Sequence, residues 1–209
     1  MSALVAACGP GCSAVKYNAL EKVGIHKRDL LVGNVEDARD AQKEAQEEFK
    51  DALEQFGSVV RIEETGLKKA YDRLSGEYED AQAAAEDVSE EIDEVERVAD
   101  DLFDEWADEN KLYTDANLRR DSEASLRATR ERYKDMLATM KASEKSMEPV
   151  LATFRNNVLY LKHNLNAQAI GSLEGTFSTL QGDVDRLIAQ MNRSIERSNQ
   201  FIREMNVAS

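Results

Sequence analysis

Two histidines, two cysteines and 41 acidic side chains are the raw material this chain offers for chemistry. A helical di-metal carboxylate site needs Glu three residues ahead of His on two helices. Here Val23 stands three before His26 and Tyr160 three before His163. Cys8 and Cys12 both fall within the first dozen residues, so neither a disulfide framework nor Cys/His zinc spacing can be built from them. The sequence contains no Gly-x-x-x-x-Gly-Lys-Ser/Thr loop to cradle a phosphate, no serine nucleophile elbow and no Rossmann glycines. We therefore expect a non-enzymatic protein, with no catalytic, cofactor-binding or metal-ligating residues and no cofactor.

What remains is binding chemistry. His26, Lys27 and Arg28, followed by Asp29, form a charged cluster near the start of the first expected helix. An antiparallel fold would carry them toward Trp106, Asp108, Arg119 and Arg120 at the same end. Trp106 at a seam position is more commonly core than contact, and Arg119 and Arg120 can pair with acids of the second helix. A second cluster, Arg155, Asn156, Asn157, Lys162, His163, Asn164 and Asn166, would lie at the opposite end. Its amides are suited to capping a helix or forming a polar layer that fixes register. The candidate binding residues are thus His26, Lys27, Arg28, Trp106, Arg119, Arg120, His163, Asn164 and Asn166. His26 and His163 are expected at opposite ends and cannot share a metal.

The elements that position these residues follow from a four-then-three spacing of apolar side chains. The first seam runs Leu31, Val35, Ala38, Gln42, Ala45, Phe49, Ala52, Phe56 and Val59. The second runs from Leu67 through Tyr71, Leu74, Tyr78, Ala81, Ala85, Val88, Ile92, Val95, Ala99 and Leu102 to Trp106. The third includes Leu126, Arg130, Tyr133, Leu137, Met140, Glu144, Met147, Leu151, Phe154, Val158 and Leu161. The fourth includes Ile170, Leu173, Phe177, Leu180, Val184, Leu187, Met191, Ser194, Ser198, Phe201 and Met205. Flanking apolar residues such as Leu53, Val98 and Met136 widen each stripe beyond a two-stranded seam. Phase is lost near residues 57–66, 110–117 and 164–171, where glycines and caps (Thr65, and Thr114 or Asn117) read as turns. The expected fold is all-α: an elongated antiparallel up-down-up-down bundle of four coiled-coil-like helices, roughly 16–58, 66–110, 115–165 and 168–206. Phase survives across Pro149, which predicts a kinked helix rather than a broken one.

The formal net charge is −14, and most of it sits in one stretch. Residues 67–110 carry 17 acids against 4 bases, and residues 111–165 carry 11 bases against 7 acids. Nucleic acid is excluded as a partner, because phosphate contacts need a basic face.

At the N-terminus, Val5-Ala6-Ala7-Cys8 has the form of a bacterial lipobox, with Cys8 as the lipidation candidate and Cys12 the second choice. No Lys or Arg precedes Lys16, as a signal's charged start would require. Either the start codon lies upstream or the resemblance is accidental. Residues 1–15 are read as a truncated lipoprotein signal and tether, and residues 16–209 as one helical-bundle domain.

Several stretches carry a wider resemblance: residues 19–29 (ALEKVGIHKRD), 102–106 (LFDEW), 118–123 (LRRDSE), 147–154 (MEPVLATF) and 158–170 (VLYLKHNLNAQAI). Together they resemble a bacterial family, domain of unknown function 2959, whose members look like secreted lipoproteins of Gram-negative bacteria. Members typically carry a full signal peptide before the cysteine, and this sequence departs from them by starting too late. The resemblance implies an outer-membrane lipoprotein facing the periplasm, with Gly9 after Cys8 favouring outer-membrane release, and implies no activity. The leading expectation is a non-catalytic, envelope-tethered helical scaffold that binds another protein. The alternative is a cytoplasmic coiled-coil protein that oligomerises or binds an anionic membrane surface.

Overall fold

The computed structural model describes residues 27–61, 66–164 and 167–207. Among the described residues there is no strand. Four long helices account for the fold: α1 (Lys27–Val60), α2 (Leu67–Glu109), α3 (Ala116–His163) and α4 (Ala167–Val207), with a 3-10 turn at Asn110–Leu112. The helices end and begin within or beside the stretches where heptad phase is lost. Residues 16–26 of the expected first helix lie outside the described residues, as do Cys8, Cys12, His26, Thr65 and Asn166.

Each helix packs on two neighbours in the cyclic order α1–α2–α3–α4, so that α4 closes back onto α1. That order makes an antiparallel up-down-up-down bundle, as expected for short turns between long helices. With 48 residues, α3 is the longest, roughly 70 Å at 1.5 Å per residue. It runs through Pro149 without ending. Asp115, rather than Thr114 or Asn117, caps α3: its carboxylate accepts from the backbone N–H of Asn117 (2.7 Å) and Leu118 (3.1 Å). α2 starts after Gly66, which supplies no side-chain cap.

The core follows the expected seams in α1 and most of α4, and departs from them in α2 and α3. In α2, Ala70, Ala84 and Val98 are buried, while Tyr71, Tyr78, Ala85, Leu102 and Trp106 are only partly covered. In α3, Thr129, Met136, Ser143 and Val150 are buried instead of Arg130, Leu137, Glu144 and Leu151. A helix with a neighbour on each side must bury the position beside the two-residue seam, and the side it chooses depends on where those neighbours stand.

Aromatic contacts tie the helices at two levels. Phe56 meets Phe154 edge-on at 6.3 Å and stacks on Phe177 at 6.1 Å. Toward the other end, Tyr133 bridges Phe103 (5.3 Å) and Phe201 (6.4 Å). Such pairs add about 0.5–1.5 kcal/mol each beyond burial.

Between those levels the core turns polar. Gln42, Ser143, Ser194 and Ser198 are all fully buried. Bonds from Gln46 to Asn192 (3.0 Å) and from Arg39 to Asn199 (3.2 Å) bracket Gln42 opposite Ser194 and Ser198. Counting along α3 and α4 from the Tyr133–Phe201 pair brings Ser143 to about the same level. Ser198 donates to the Ser194 carbonyl at 3.0 Å, while both amide atoms of Gln42 and the hydroxyls of Ser143 and Ser194 have no protein partner. A polar layer of this kind fixes register at a cost in stability.

Gln42→Met is therefore expected to raise unfolding free energy by about 1 kcal/mol, measured by urea denaturation, because it removes two unpaired buried groups at similar volume. Two glycine substitutions should move stability in opposite directions in the same assay. Gly76 has open space around a built Cβ, so Gly76→Ala should gain about 0.5–1 kcal/mol of helix propensity. At Gly57 the Cβ would sit 2.9 Å from the Phe177 ring, which is already stacked on Phe56. Gly57→Ala should lose roughly 1 kcal/mol net to overpacking.

Candidate functional site

The α1–α2 pair is the most closely packed, and the reason is residue size. Ala38, Ala45 and Ala52 recur at every second turn of the α1 seam, and Ala70, Ala81, Ala84 and Ala99 face the core from α2. Small side chains let helix axes approach. The α2–α3 pair is the loosest of the four interfaces. There a cleft of about 1040 Å³ opens between α2 residues 78–89 and α3 residues 141–155.

Tyr78, Ala85, Met147 and Leu151 make the apolar floor of this cleft, with Met147 itself buried. Tyr78 and Leu151 are the seam positions that the sequence placed in the core. Here they are only partly buried, beside the small α2 side chain of Ala85. One margin is crossed by polar contacts: Ser89 donates to Glu144 at 2.6 Å, and Lys141 pairs with Glu96 and with Asp93 (3.5 Å). Those acids raise the Lys141 pKa, the Glu96 hydrogen bond most of all. Lys145 and Arg155, on the α3 wall, are exposed and have no acidic partner among the described residues.

The candidate binding residues read from sequence separate into two ends. Lys27 pairs with Glu105 at 2.9 Å, and the Arg28 guanidinium donates to the Met205 carbonyl at 2.6 Å. Trp106 donates its indole N–H to Ser122 at 2.9 Å and is half-buried against the core. These three residues therefore tie helices together at one end. Arg119 and Arg120 lie at that end on exposed positions, and they do not pair with α2 acids as expected. Arg119 donates to the Tyr113 carbonyl and Arg120 to the Asn117 amide oxygen. His163 and Asn164 lie at the far end. Asn164 caps α3 and donates to the Tyr160 carbonyl at 2.9 Å, and His163 is exposed. The two clusters therefore form no common site. The cleft lies between them, and sequence reasoning missed it because helix separation leaves no signature in the seam pattern.

The tight α1–α2 contact also brings acids together. One carboxylate oxygen from each of Glu48, Glu77 and Asp80 lies within 4.8 Å of the others. These are the described residues that could present oxygens to a hard cation. Burial first, and then the neighbouring acids, raise the pKa of both Glu48 and Glu77. Glu91 is raised in the same way, by burial and then by Asp37 of α1. Asp40 goes the other way, held down at about 2 by hydrogen bonds from Arg39 and Lys43.

No described helix is long and apolar enough to cross a membrane. A family model described as "Protein of unknown function (DUF2959)" matches residues 16–205. No curated protein and no solved structure matches the chain.

The raised carboxylates set the sign of a pH dependence. A group whose folded pKa lies above its unfolded value binds more protons in the folded state, so stability falls as pH rises through that interval. Glu48→Gln and Glu77→Gln should each raise the melting temperature at pH 7. The gain should shrink as pH falls toward the ordinary carboxylate range, as followed by thermal denaturation across pH 4–8 on a scale of about 4 for an unperturbed Glu.

Proposed function

The chain belongs to the DUF2959 family, and from its fold and cleft we propose that it is a non-catalytic helical scaffold, tethered to the cell envelope through lipid on Cys8, that receives a partner protein between α2 and α3. The α2–α3 cleft is the observation that carries this reading. Its floor is apolar, its α3 wall offers two uncommitted cations, and its length on α3, about 21 Å at helical rise, suits several turns of a partner helix. An amphipathic helix with an acidic edge would cover Leu151 and Tyr78 while meeting Lys145 and Arg155. The lipobox before Cys8, and the likeness of the family's members to secreted lipoproteins, support the tether and an outer-membrane location facing the periplasm.

Two readouts on cells expressing the gene from its native upstream DNA test the two halves of this reading. Intact mass should show a diacyl or triacyl addition that Cys8→Ala abolishes, whereas an unmodified product beginning at Met1 would overturn the tether. A photo-crosslinking residue at Ala152, in the cleft, should give a discrete adduct with one protein. The same group at the exposed Ala124 should give none, and equal labelling at both positions would overturn the cleft as the docking site.

A further inference from the structure

The fold's own needs leave the most exposed large apolar side chains of the α2–α3 turn unexplained. Among the described residues, Leu112 is 79% exposed, Leu118 57% and Tyr113 39%, against 46% for Leu159 and 41% for Tyr160 at the far end and 87% for Val207 at the end of α4. Leu112, Tyr113 and Leu118 flank the turn between α2 and α3 and form the tip at one end of the bundle, whereas α4 ends short of it, since Glu204 pairs with Arg132. A turn selects Gly, Asn, Asp or Ser for its geometry, and here Asp115 already supplies the cap. Large apolar residues at the tip contribute little to the core, and their clustering marks an interaction surface.

We propose that this tip rests in the headgroup region of a lipid bilayer and stands the bundle upright on it. Leu112 and Leu118 would enter the acyl boundary, and Tyr113 has the amphipathic ring suited to the interface. Arg119 and Arg120 hold the turn through the Tyr113 carbonyl and the Asn117 amide, and their stems can cover apolar surface while the guanidinium groups stay wet. Residues 108–121 carry four acids and three bases, so the tip is close to neutral and its attraction to lipid is apolar.

Two further observations select a bilayer as the occupant. α1 begins its described course, at Lys27, at this same end, so the chain leading back to Cys8 departs from here. Fully extended, that stretch would reach roughly 65 Å at most, too long a leash to orient the bundle by itself. The long acidic flanks of α1 and α2 would be repelled from anionic headgroups if the bundle lay flat, whereas the near-neutral tip would not. Standing upright places the middle of the α2–α3 cleft about 40 Å above the membrane, at 1.5 Å per residue. The choice of a bilayer as the occupant rests in part on the lipoprotein reading, through the tether; the exposure of the tip itself does not.

The test makes the tether chemically. The full chain carrying Cys12→Ala is coupled through Cys8 to a maleimide lipid in phosphatidylcholine vesicles, with Tyr113→Trp in a Trp106→Phe background as reporter. Brominated acyl chains should quench the reporter equally at low and high salt. Quenching should be lost when Leu112→Asp and Leu118→Asp are added, with the circular dichroism spectrum unchanged. With Tyr160→Trp as the reporter instead, at the far end, no quenching should be seen. An unquenched reporter at 113, equal quenching at both ends, or quenching abolished by salt would each overturn the proposal. If cells leave Cys8 unmodified while the vesicle result holds, the lipoprotein reading falls and the tip contact stands.

Discussion

The alanines on the facing sides of α1 and α2 are the constraint on which the rest of the structure depends. Ala38, Ala45 and Ala52 recur once per heptad, opposite a face of α2 that carries Ala81 and Ala84 over the same span. Close approach of two helices forfeits the large burial that Leu would have supplied, so apolar stabilisation moves to Phe49, Phe56, Phe154 and the methionines Met136, Met140 and Met147. Drawing α2 toward α1 also draws it away from α3. Where α2 offers the small Ala85 between Tyr78 and Ser89, Leu151 of α3 is left only partly covered, and the cleft opens there.

Charge follows from the same contact. The two most acidic helices are the two that approach most closely, which is why Glu48, Glu77 and Glu91 hold their protons more tightly than usual. α3 answers from the other side of α2, with Arg130 near Asp104 and Lys141 on Glu96. Partly exposed pairs contribute about 0–1 kcal/mol each. Their consequence is more one of arrangement: Arg130 and Lys141 are committed to α2, whereas Lys145 and Arg155, along the cleft, are not.

Much of the fold is legible in the sequence because a buried stripe on a long helix repeats regularly. Leu31 to Val59 and Ile170 to Met205 read correctly almost residue for residue, including the fully buried Gln42, Ser194 and Ser198. α2 and α3 read less well. A two-position template cannot choose between Thr129 and Arg130, or between Ser143 and Glu144, when both neighbours in sequence lie near the stripe and only the position of the next helix decides. The α3 cap escaped for a similar reason: Thr114, Asp115 and Asn117 are all capping types, and backbone conformation selects among them. The candidate site was the least legible part. Its charged clusters at the ends were visible as residue types, yet most of those residues bind their own bundle. The cleft arises from a spacing between helices that no single residue announces.

The fold requires that the chain seal its own core, with α4 returning to α1. A thiol–thiol cross-linker applied to a Gln46→Cys, Asn192→Cys pair, in a chain lacking Cys8 and Cys12, reads that closure directly, since these side chains meet at 3.0 Å. We expect an internally cross-linked monomer whose yield does not depend on protein concentration. A covalent dimer whose yield rises with concentration would mean that α4 completes the bundle of a second copy, and would contradict the single-chain fold.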